Sequence, residues 1–137
     1  MRIYFAGSIR AGRDDEEVYQ KMINYLKKHG EVLTEHVGAQ DVITKEEKGF
    51  TEKQIFERDM KWLRSADVLI AEVTTPSLGV GYEIAKAAEL NKRVLCLYRP
   101  KAGKMLSAII SGDKKIIVKQ YKTLKQAFGI IDGFFKI

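Results

Sequence analysis

The stretch DVLIAEV at residues 67–73 constrains the fold more than any other part of this 137-residue sequence. It is a nearly continuous apolar run, which is typical of a strand covered on both faces in a parallel sheet. Similar runs alternate with helical patterns along the chain, and this alternation predicts βαβ units with right-handed crossovers. We therefore predict a single α/β domain over residues 1–137 with a doubly wound five-stranded parallel sheet, flavodoxin-like or Rossmann-like, in the strand order 2-1-3-4-5.

The period of the apolar residues and the turn residues between them predict where the elements lie. Strands are predicted at 2–7, 31–36, 67–73, 93–99 and 115–121. Helices are predicted at 15–30, closed by Gly30 as a cap, and at 51–66, 78–90, 104–112 and 123–137. The long polar loop before the second helix, residues 38–52, is a candidate flap.

Charge is distributed unevenly along the chain. Residues 91–137 hold eleven Lys and Arg against two Asp and Glu, a net +9, whereas residues 1–90 hold thirteen against sixteen, a net −3. A basic C-terminal third suits an anionic partner such as a nucleotide or a nucleic acid. The lysines are scattered without interleaved aromatic residues, so a solvated surface is the simpler interpretation and nucleic acid is not the expected partner.

Several classes of protein are not expected from this sequence. Cys96 is the only cysteine, which excludes an internal disulfide. No apolar run approaches the ~20 residues that span a bilayer, and the N-terminus reads as a strand rather than a signal peptide. We therefore expect a cytoplasmic protein with no membrane partner. No cluster of His, Cys and Asp has metal-ligand spacing, and we expect neither a metal nor another cofactor.

Two carboxylates interrupt the apolar stripes of the helices that flank the third strand. The inward face of the helix at 51–66 is predicted to carry Ile55, Phe56, Leu63 and Ala66, and that of the helix at 78–90 to carry Val80, Ile84, Ala87 and Ala88. Asp59 lies four residues after Ile55, and Glu83 lies three residues after Val80, so each falls on a face predicted to be buried. Burying an unpaired charge is costly, so each carboxylate needs either a partner or a purpose. For either one alone, a structural carboxylate satisfied by a backbone donor or an arginine is an equal alternative. Two of them facing one cleft are what cleavage of a glycosidic bond requires.

The positions of these carboxylates indicate different roles. Glu83 lies near a helix N-terminus, where the dipole favours an anion and hence a nucleophile. Asp59 lies deep within its helix, where burial favours the protonated acid and hence proton donation. Tyr4, near the end of the first strand, is expected in the core with its hydroxyl in reach of a carboxylate. His36, at the end of the second strand, is a weaker candidate on the same side.

The segment GSIRAGR, residues 7–13, has the composition of a phosphate-binding loop. Gly7 frees the backbone, Ser8 offers a hydroxyl and Arg10 offers charge, directly before a helix N-terminus. The segment matches neither common nucleotide-binding signature, so a flexible charged loop is the alternative. Ser77 is first of all a helix cap, placed where it can also touch an anion, and Gly79 clears space for a ligand.

Longer stretches resemble a known family. YFAGSIRAGR, VLTEHV, RDMKWLRSADVLIAEVTTPSLGVGYEIAKA, KRVLCLYRP and LSAII are similar to the 2'-deoxynucleoside 5'-phosphate N-hydrolases of the nucleoside 2-deoxyribosyltransferase superfamily. The likeness covers residues 3 to about 110. It implies a flavodoxin-like fold, a homodimer with composite active sites, and metal-independent hydrolysis of the bond between base and sugar in deoxynucleoside monophosphates.

The resemblance also implies roles for residues at matching positions. Glu83 would be the nucleophile that forms a glycosyl-enzyme intermediate, Asp59 would assist the departing base and position the sugar, and Tyr4 would orient the nucleophile. The substrate, chiefly its 5'-phosphate, would be bound by Gly7, Ser8, Ile9, Arg10, Ser77 and Gly79, and from the other subunit by Ser107. The divergent loop 38–52 leaves the base preference open.

Two other functions are alternatives at this point. A nucleoside 2-deoxyribosyltransferase would use Glu83 in the same role and would not need the anion-binding residues. A non-catalytic nucleotide-binding or nucleic-acid-binding module would account for the basic C-terminal third.

Overall fold

A computed structural model describes residues 1–9, 13–34, 49–100 and 105–136, without the side chains of residues 13 and 14. Five parallel strands form one sheet in the order β2-β1-β3-β4-β5, which confirms the predicted topology. The strands are β1 (Arg2–Ala6), β2 (Glu31–Val32), β3 (Val68–Glu72), β4 (Arg93–Tyr98) and β5 (Ile116–Gln120). The helices are α1 (Arg13–Leu26), α2 (Glu52–Ser65), α3 (Leu78–Glu89), α4 (Ala108–Gly112) and α5 (Leu124–Phe135).

The second strand is shorter than predicted. β2 pairs only Glu31 and Val32 with β1. The hydroxyl of Thr34 then takes the place of the next rung of the ladder: it donates to the carbonyl of Phe5 at 2.7 Å and accepts from the Phe5 N–H at 2.8 Å. Backbone groups of β1 are therefore satisfied by a side chain, an exchange that residue propensities do not reveal. The last two residues of the predicted strand, 35 and 36, lie outside the described residues.

Side chains alternate between two apolar layers, one on each face of the sheet. The layer beneath α1 and α5 includes Ile3, Phe5, Val68, Ile70, Leu95 and Leu97. The layer beneath α2 and α3 includes Tyr4, Ala6, Leu69, Ala71, Val94 and Cys96. All five residues of β3 are buried, as the continuous apolar run predicts.

The two helices that flank β3 pack differently. The predicted inner stripe of α3 is confirmed, since Val80, Ile84, Ala87 and Ala88 are buried. The stripe predicted for α2 is partly wrong, because Met60 and Leu63 are buried while Phe56 is 46 % exposed. The N-terminal half of α2 therefore leaves the sheet uncovered and forms a wall of a cavity. Among the described residues, no helix is both long and apolar enough to cross a membrane.

Gly30 is not the helix cap that the sequence predicts, because α1 ends at Leu26. A Cβ at position 30 would lie 2.2 Å from the carbonyl oxygen of Met1. The same carbonyl accepts the N–H of Glu31 at 2.9 Å, so the chain passes very close to it at this point. Glycine is required here for the close approach of two backbone segments.

Candidate active site

A cavity of about 610 Å³ opens at the carboxyl ends of β1 and β3, where the strand order predicts a ligand. Its volume is typical of a small-molecule site. Residues of β1 lie at its base, and α2 and α3 form its walls. The lining residues are Tyr4, Ala6, Gly7, Ile9, Thr34, Glu52, Ile55, Phe56, Asp59, Met60, Ser77, Leu78, Gly79, Val80, Tyr82 and Glu83.

Tyr4 and Glu83 are in direct contact in this cavity. The Tyr4 hydroxyl donates a hydrogen bond to Oε2 of Glu83. Tyr4 is only 1 % exposed, as expected for a core residue. Burial, and after it the negative charges of Glu83 and Asp59, raise the pKa of the Tyr4 hydroxyl. The phenol therefore stays protonated and remains a donor to the carboxylate.

Asp59 lines the same cavity from α2, so the structure brings the two predicted carboxylates together. The expectation that Asp59 is deeply buried is wrong, because its side chain is 21 % exposed and its Oδ1 lies 2.9 Å from Nη2 of Arg58. The Nε of Arg58 donates to the same oxygen at 2.9 Å. An adjacent cation favours the ionised form of a carboxylate, so burial no longer supports a proton donor at this position.

Arg58 is itself fixed by two aromatic rings. Its guanidinium carbon lies 5.0 Å from the centroid of Trp62 and 5.6 Å from that of Phe50, both within the range of cation–π attraction. Its charge also acts on Tyr4, where it lowers the pKa that burial and the carboxylates raise. The sequence carries little signal for this pairing, because adjacent residues in a helix do not normally face each other.

The two loops predicted to bind phosphate meet at the cavity. Gly7 and Ile9 line it from the β1–α1 loop, and Ser77 and Gly79 line it from the start of α3. The Ser77 hydroxyl accepts the N–H of Val80 at 3.3 Å, which confirms its role as a helix cap. The first turn of a helix presents further unpaired backbone N–H groups, so this end of the cavity suits an anion.

Other predicted site residues do not line the cavity or lie outside the described residues. Ser8 is 6 % exposed, and its N–H is bonded to a buried tyrosine hydroxyl at 3.1 Å. Ser107 is exposed and caps α4, so its reach into the site of a second subunit stays a prediction. Arg10 and His36 lie outside the described residues, as does loop 38–52 up to residue 48.

A buried charge at the end of β3 was not predicted. Glu72, the last residue of β3, is 0 % exposed. It accepts from the N–H and the hydroxyl of Thr74, both at 2.8 Å, and from the hydroxyl of Tyr121. The Nε of Arg99 lies 3.4 Å from its carboxylate. The signal was in the sequence, since a carboxylate inside DVLIAEV breaks an apolar run just as Asp59 breaks an apolar stripe.

The electrostatics of the cavity are dominated by acids. Its described lining includes three carboxylates, on Glu52, Asp59 and Glu83, and no lysine, arginine or histidine. Within the described parts of the chain, no group of three or more His, Cys, Asp and Glu side chains is arranged to hold a metal ion. An anion bound by these lining residues would rely on hydroxyls and backbone N–H groups.

Comparisons with known proteins identify related sequences and a related fold. Residues 3–128 match the family model for nucleoside 2-deoxyribosyltransferase. A 5-hydroxymethyl-dUMP N-hydrolase of Danio rerio is 53% identical over 138 residues, which cover 99% of this chain and 96% of that protein. One of Esox lucius is 48% identical over 141 residues, covering 99% and 97%. The solved structure of Clostridium botulinum CMP N-glycosidase superposes with a TM-score of 0.71 at 19% identity, covering 98% of this chain and 99% of that one, so it has the same fold.

Proposed function

Since the chain belongs to the nucleoside 2-deoxyribosyltransferase family, we propose that it hydrolyses the N-glycosidic bond of 2'-deoxynucleoside 5'-monophosphates to free base and deoxyribose 5-phosphate. The observation that carries this proposal is the hydrogen bond from Tyr4 to Glu83, in a cavity that also holds Asp59. Two carboxylates at one site are the groups that glycosidic cleavage uses. The fish relatives are named as N-hydrolases of 5-hydroxymethyl-dUMP, which supports hydrolysis as the reaction.

Glu83 is the proposed nucleophile. Its carboxylate attacks C1' of the sugar, the C1'–N bond breaks, and the electron pair leaves with the base, which takes up a proton from solvent. Water then attacks C1' and returns a proton to solvent, the C1'–O bond to Glu83 breaks, and deoxyribose 5-phosphate leaves with the carboxylate regenerated. The Tyr4 hydroxyl holds Glu83 in orientation for the attack, and Asp59 positions the sugar and assists the departing base.

The 5'-phosphate is proposed to lie at the start of α3. Ser77 and Gly79 border the cavity there, and the helix dipole favours an anion at this end. Gly7 and Ile9 approach from the β1–α1 loop on the other side. A site with hydroxyls and backbone donors in the same cavity as Glu83 would select a phosphorylated sugar over a nucleoside.

The test is incubation with a panel of deoxynucleoside monophosphates, beginning with 5-hydroxymethyl-dUMP, followed by chromatography of the released bases. The wild-type protein is expected to release at least one base. Glu83→Gln, which keeps the shape and removes the charge, is expected to slow release about a thousandfold or more. If no monophosphate in the panel yields a base, the proposal is wrong.

A nucleoside 2-deoxyribosyltransferase is the second candidate, favoured by the family to which the chain belongs. Such an enzyme would pass the sugar to a second base instead of to water. Adding free adenine to a reaction with deoxyuridine separates the two, because only a transferase forms deoxyadenosine. A clear preference for deoxyuridine over dUMP would contradict the proposed phosphate site.

We also propose a homodimer in which Ser107 contributes to the site of the partner. Three apolar side chains support it, since Leu78 is 97% exposed, Met105 is 89% exposed and Ile109 is 84% exposed. Leu78 borders the cavity, and the other two flank Ser107 in the sequence. Exposed apolar surface of this kind is typical of protein interfaces. Analytical ultracentrifugation is expected to give a dimer, and a monomer at assay concentration would contradict a shared Ser107.

A further inference from the structure

We propose that a buried hydrogen-bonded network positions both phosphate-binding loops as one unit and so determines how strongly the site prefers phosphorylated substrates. We name it the anchor network. Asp15, Glu72, Thr74, Thr75 and Arg99 are joined by hydrogen bonds and ion pairs, and Tyr19 is included because it lies one turn after Asp15 in α1. The inference rests on the proposed function, because it concerns the site assigned to the 5'-phosphate.

The β1–α1 loop is attached to the network through Tyr19. The N–H of Ser8 donates to the Tyr19 hydroxyl at 3.1 Å. A Cβ at Gly7 would lie 2.8 Å from Cζ of the same ring, so the backbone rests directly on the tyrosine. Ile9, which follows Ser8, borders the cavity. The position of residues 7–9, at the start of this loop, therefore follows the position of Tyr19.

The β3–α3 loop, residues 73–77, is attached through Thr75. Its hydroxyl donates to Oδ2 of Asp15 at 2.6 Å, and Asp15 is 4 % exposed. Asp15 and Tyr19 are four residues apart in α1 and share one face of the helix, so a single helix holds both loops. Ser77 follows Thr75 by two residues and caps α3 in the wall of the cavity.

Arg99 connects this helix to the buried end of β3. Its guanidinium forms ion pairs with Asp15 and, at 3.4 Å, with Glu72. The N–H of Arg99 donates to the Thr74 hydroxyl at 3.0 Å, and that hydroxyl donates to Glu72 at 2.8 Å. These bonds thus connect the end of β3, through Arg99, to Asp15 in α1, the helix that holds both loops.

Stability alone does not account for such a network. Buried ion pairs must recover the cost of desolvation, and replacing them with apolar residues is often neutral or stabilising. Burial, and after it the charges of Glu72 and Asp15, raise the pKa of Tyr19, so its hydroxyl stays neutral while it accepts the Ser8 N–H. What the network supplies is a fixed geometry for two loops that must contact one phosphate together.

The test removes each attachment at its hydroxyl and leaves the buried charges in place. Thr75→Val releases the β3–α3 loop, and Tyr19→Phe releases the β1–α1 loop. The matched control is Tyr25→Phe, in the same helix, which removes a hydroxyl that donates to Asp132 at 2.6 Å outside the anchor network. Binding of dUMP and of deoxyuridine is measured by calorimetry in a Glu83→Gln background, where substrate is not consumed.

Each network variant is expected to weaken dUMP binding about 10-fold or more and to change deoxyuridine binding less than about twofold. Tyr25→Phe is expected to change neither, and Thr75→Ser, which keeps the hydroxyl, to restore dUMP binding. Should Tyr19→Phe not fold, the two Thr75 variants decide the matter.

Equal weakening for both ligands, or no change for dUMP, would overturn the proposal. The proposal would also be overturned if the Glu83→Gln protein, before any network substitution, bound dUMP no more tightly than deoxyuridine. Base release by the wild-type protein tests the proposed function separately. Loss of dUMP selectivity in Thr75→Val, in a protein that releases no base, would support the network and reject the hydrolase.

Discussion

Tyr4→Phe deletes one hydroxyl from the proposed catalytic site and keeps the ring that fills the apolar layer beneath α2 and α3. The substitution removes the hydrogen bond to Oε2 of Glu83. Because the ring is retained and Tyr4 is only 1 % exposed, the fold is expected to survive. What changes is the orientation of the carboxylate that is proposed to attack the sugar.

The size of the effect follows from the charge of the acceptor. A hydrogen bond to a charged group contributes about 1.5–3 kcal/mol. At about 1.4 kcal/mol for each factor of ten, kcat/KM is expected to fall about 10- to 150-fold. The loss should appear in kcat rather than KM, because the hydroxyl orients the nucleophile and is not assigned to substrate binding. Burial and the charges of Glu83 and Asp59 raise the pKa of Tyr4, so the ratio of wild-type to variant rates should show no step near pH 10, where an ordinary tyrosine titrates.

The assay is steady-state release of base from 5-hydroxymethyl-dUMP between about pH 5 and 10. Tyr25→Phe is the matched control, since it removes a hydroxyl bonded to a carboxylate, Asp132, on the opposite face of the sheet. Rates for Tyr4→Phe within about twofold of the wild type would refute the orienting role. An equal loss in Tyr25→Phe would show that the effect comes from general loosening of the fold.

Three further predictions concern the second carboxylate and the fold. Arg58→Gln breaks the ion pair with Asp59 and is expected to lower kcat/KM only about fivefold, because the pair is partly exposed. Arg64→Gln, at the exposed end of α2, is the control and should leave kcat/KM unchanged. Equal kcat/KM values for the two variants would exclude a contribution of the Arg58–Asp59 pair to catalysis. Burial, before any other cause, raises the pKa of three tyrosine hydroxyls, those of Tyr4, Tyr19 and Tyr121. The contribution of these hydroxyls to the free energy of unfolding is fully present below about pH 10, the pKa of tyrosine in the unfolded chain. Above that pH the free energy of unfolding should fall by up to about 4 kcal/mol per pH unit. Urea titrations that show no such fall would contradict this prediction. Gly30→Ala places a Cβ 2.2 Å from a backbone oxygen and should cost about 1–3 kcal/mol of stability, whereas Gly129→Ala, with open space around it, should cost nothing.

Much of the fold was predictable, because buried faces of strands and helices give the apolar residues a regular spacing in the sequence. The run DVLIAEV and the stripe that contains Val80 and Ile84 were assigned correctly, since one element is covered on both faces and the other on one. Phe56 was misassigned because an apolar side chain facing a ligand cavity and one facing the core have the same period. Thr34 ended β2 through a contact with the backbone of another strand, which local sequence does not encode.

The candidate site was predictable where it places charged side chains on helix faces that are otherwise apolar. Asp59 and Glu83 were identified because carboxylates on apolar stripes are costly, and both line the cavity. Tyr4 lies 79 positions before Glu83, so their contact follows only from the strand order that brings β1 beside β3. Arg58 was missed because its orientation depends on aromatic rings rather than on its own helical position.

The alternation of side chains along β1 and β3 places the proposed catalytic pair, Tyr4 and Glu83, and the anchor network on opposite faces of the sheet. Tyr4 faces the cavity side of the sheet, whereas Phe5 and Glu72 face the side of α1 and α5. The anchor network and the pair of Tyr4 and Glu83 therefore lie on opposite faces of the sheet, and the loops at the strand ends join them. Loosening the network should alter where the phosphate is held without altering how the nucleophile is oriented, so KM and kcat should respond to different substitutions. A Thr75→Val variant that slows base release from a deoxynucleoside as much as from its monophosphate would show that the two faces are not separate in this way.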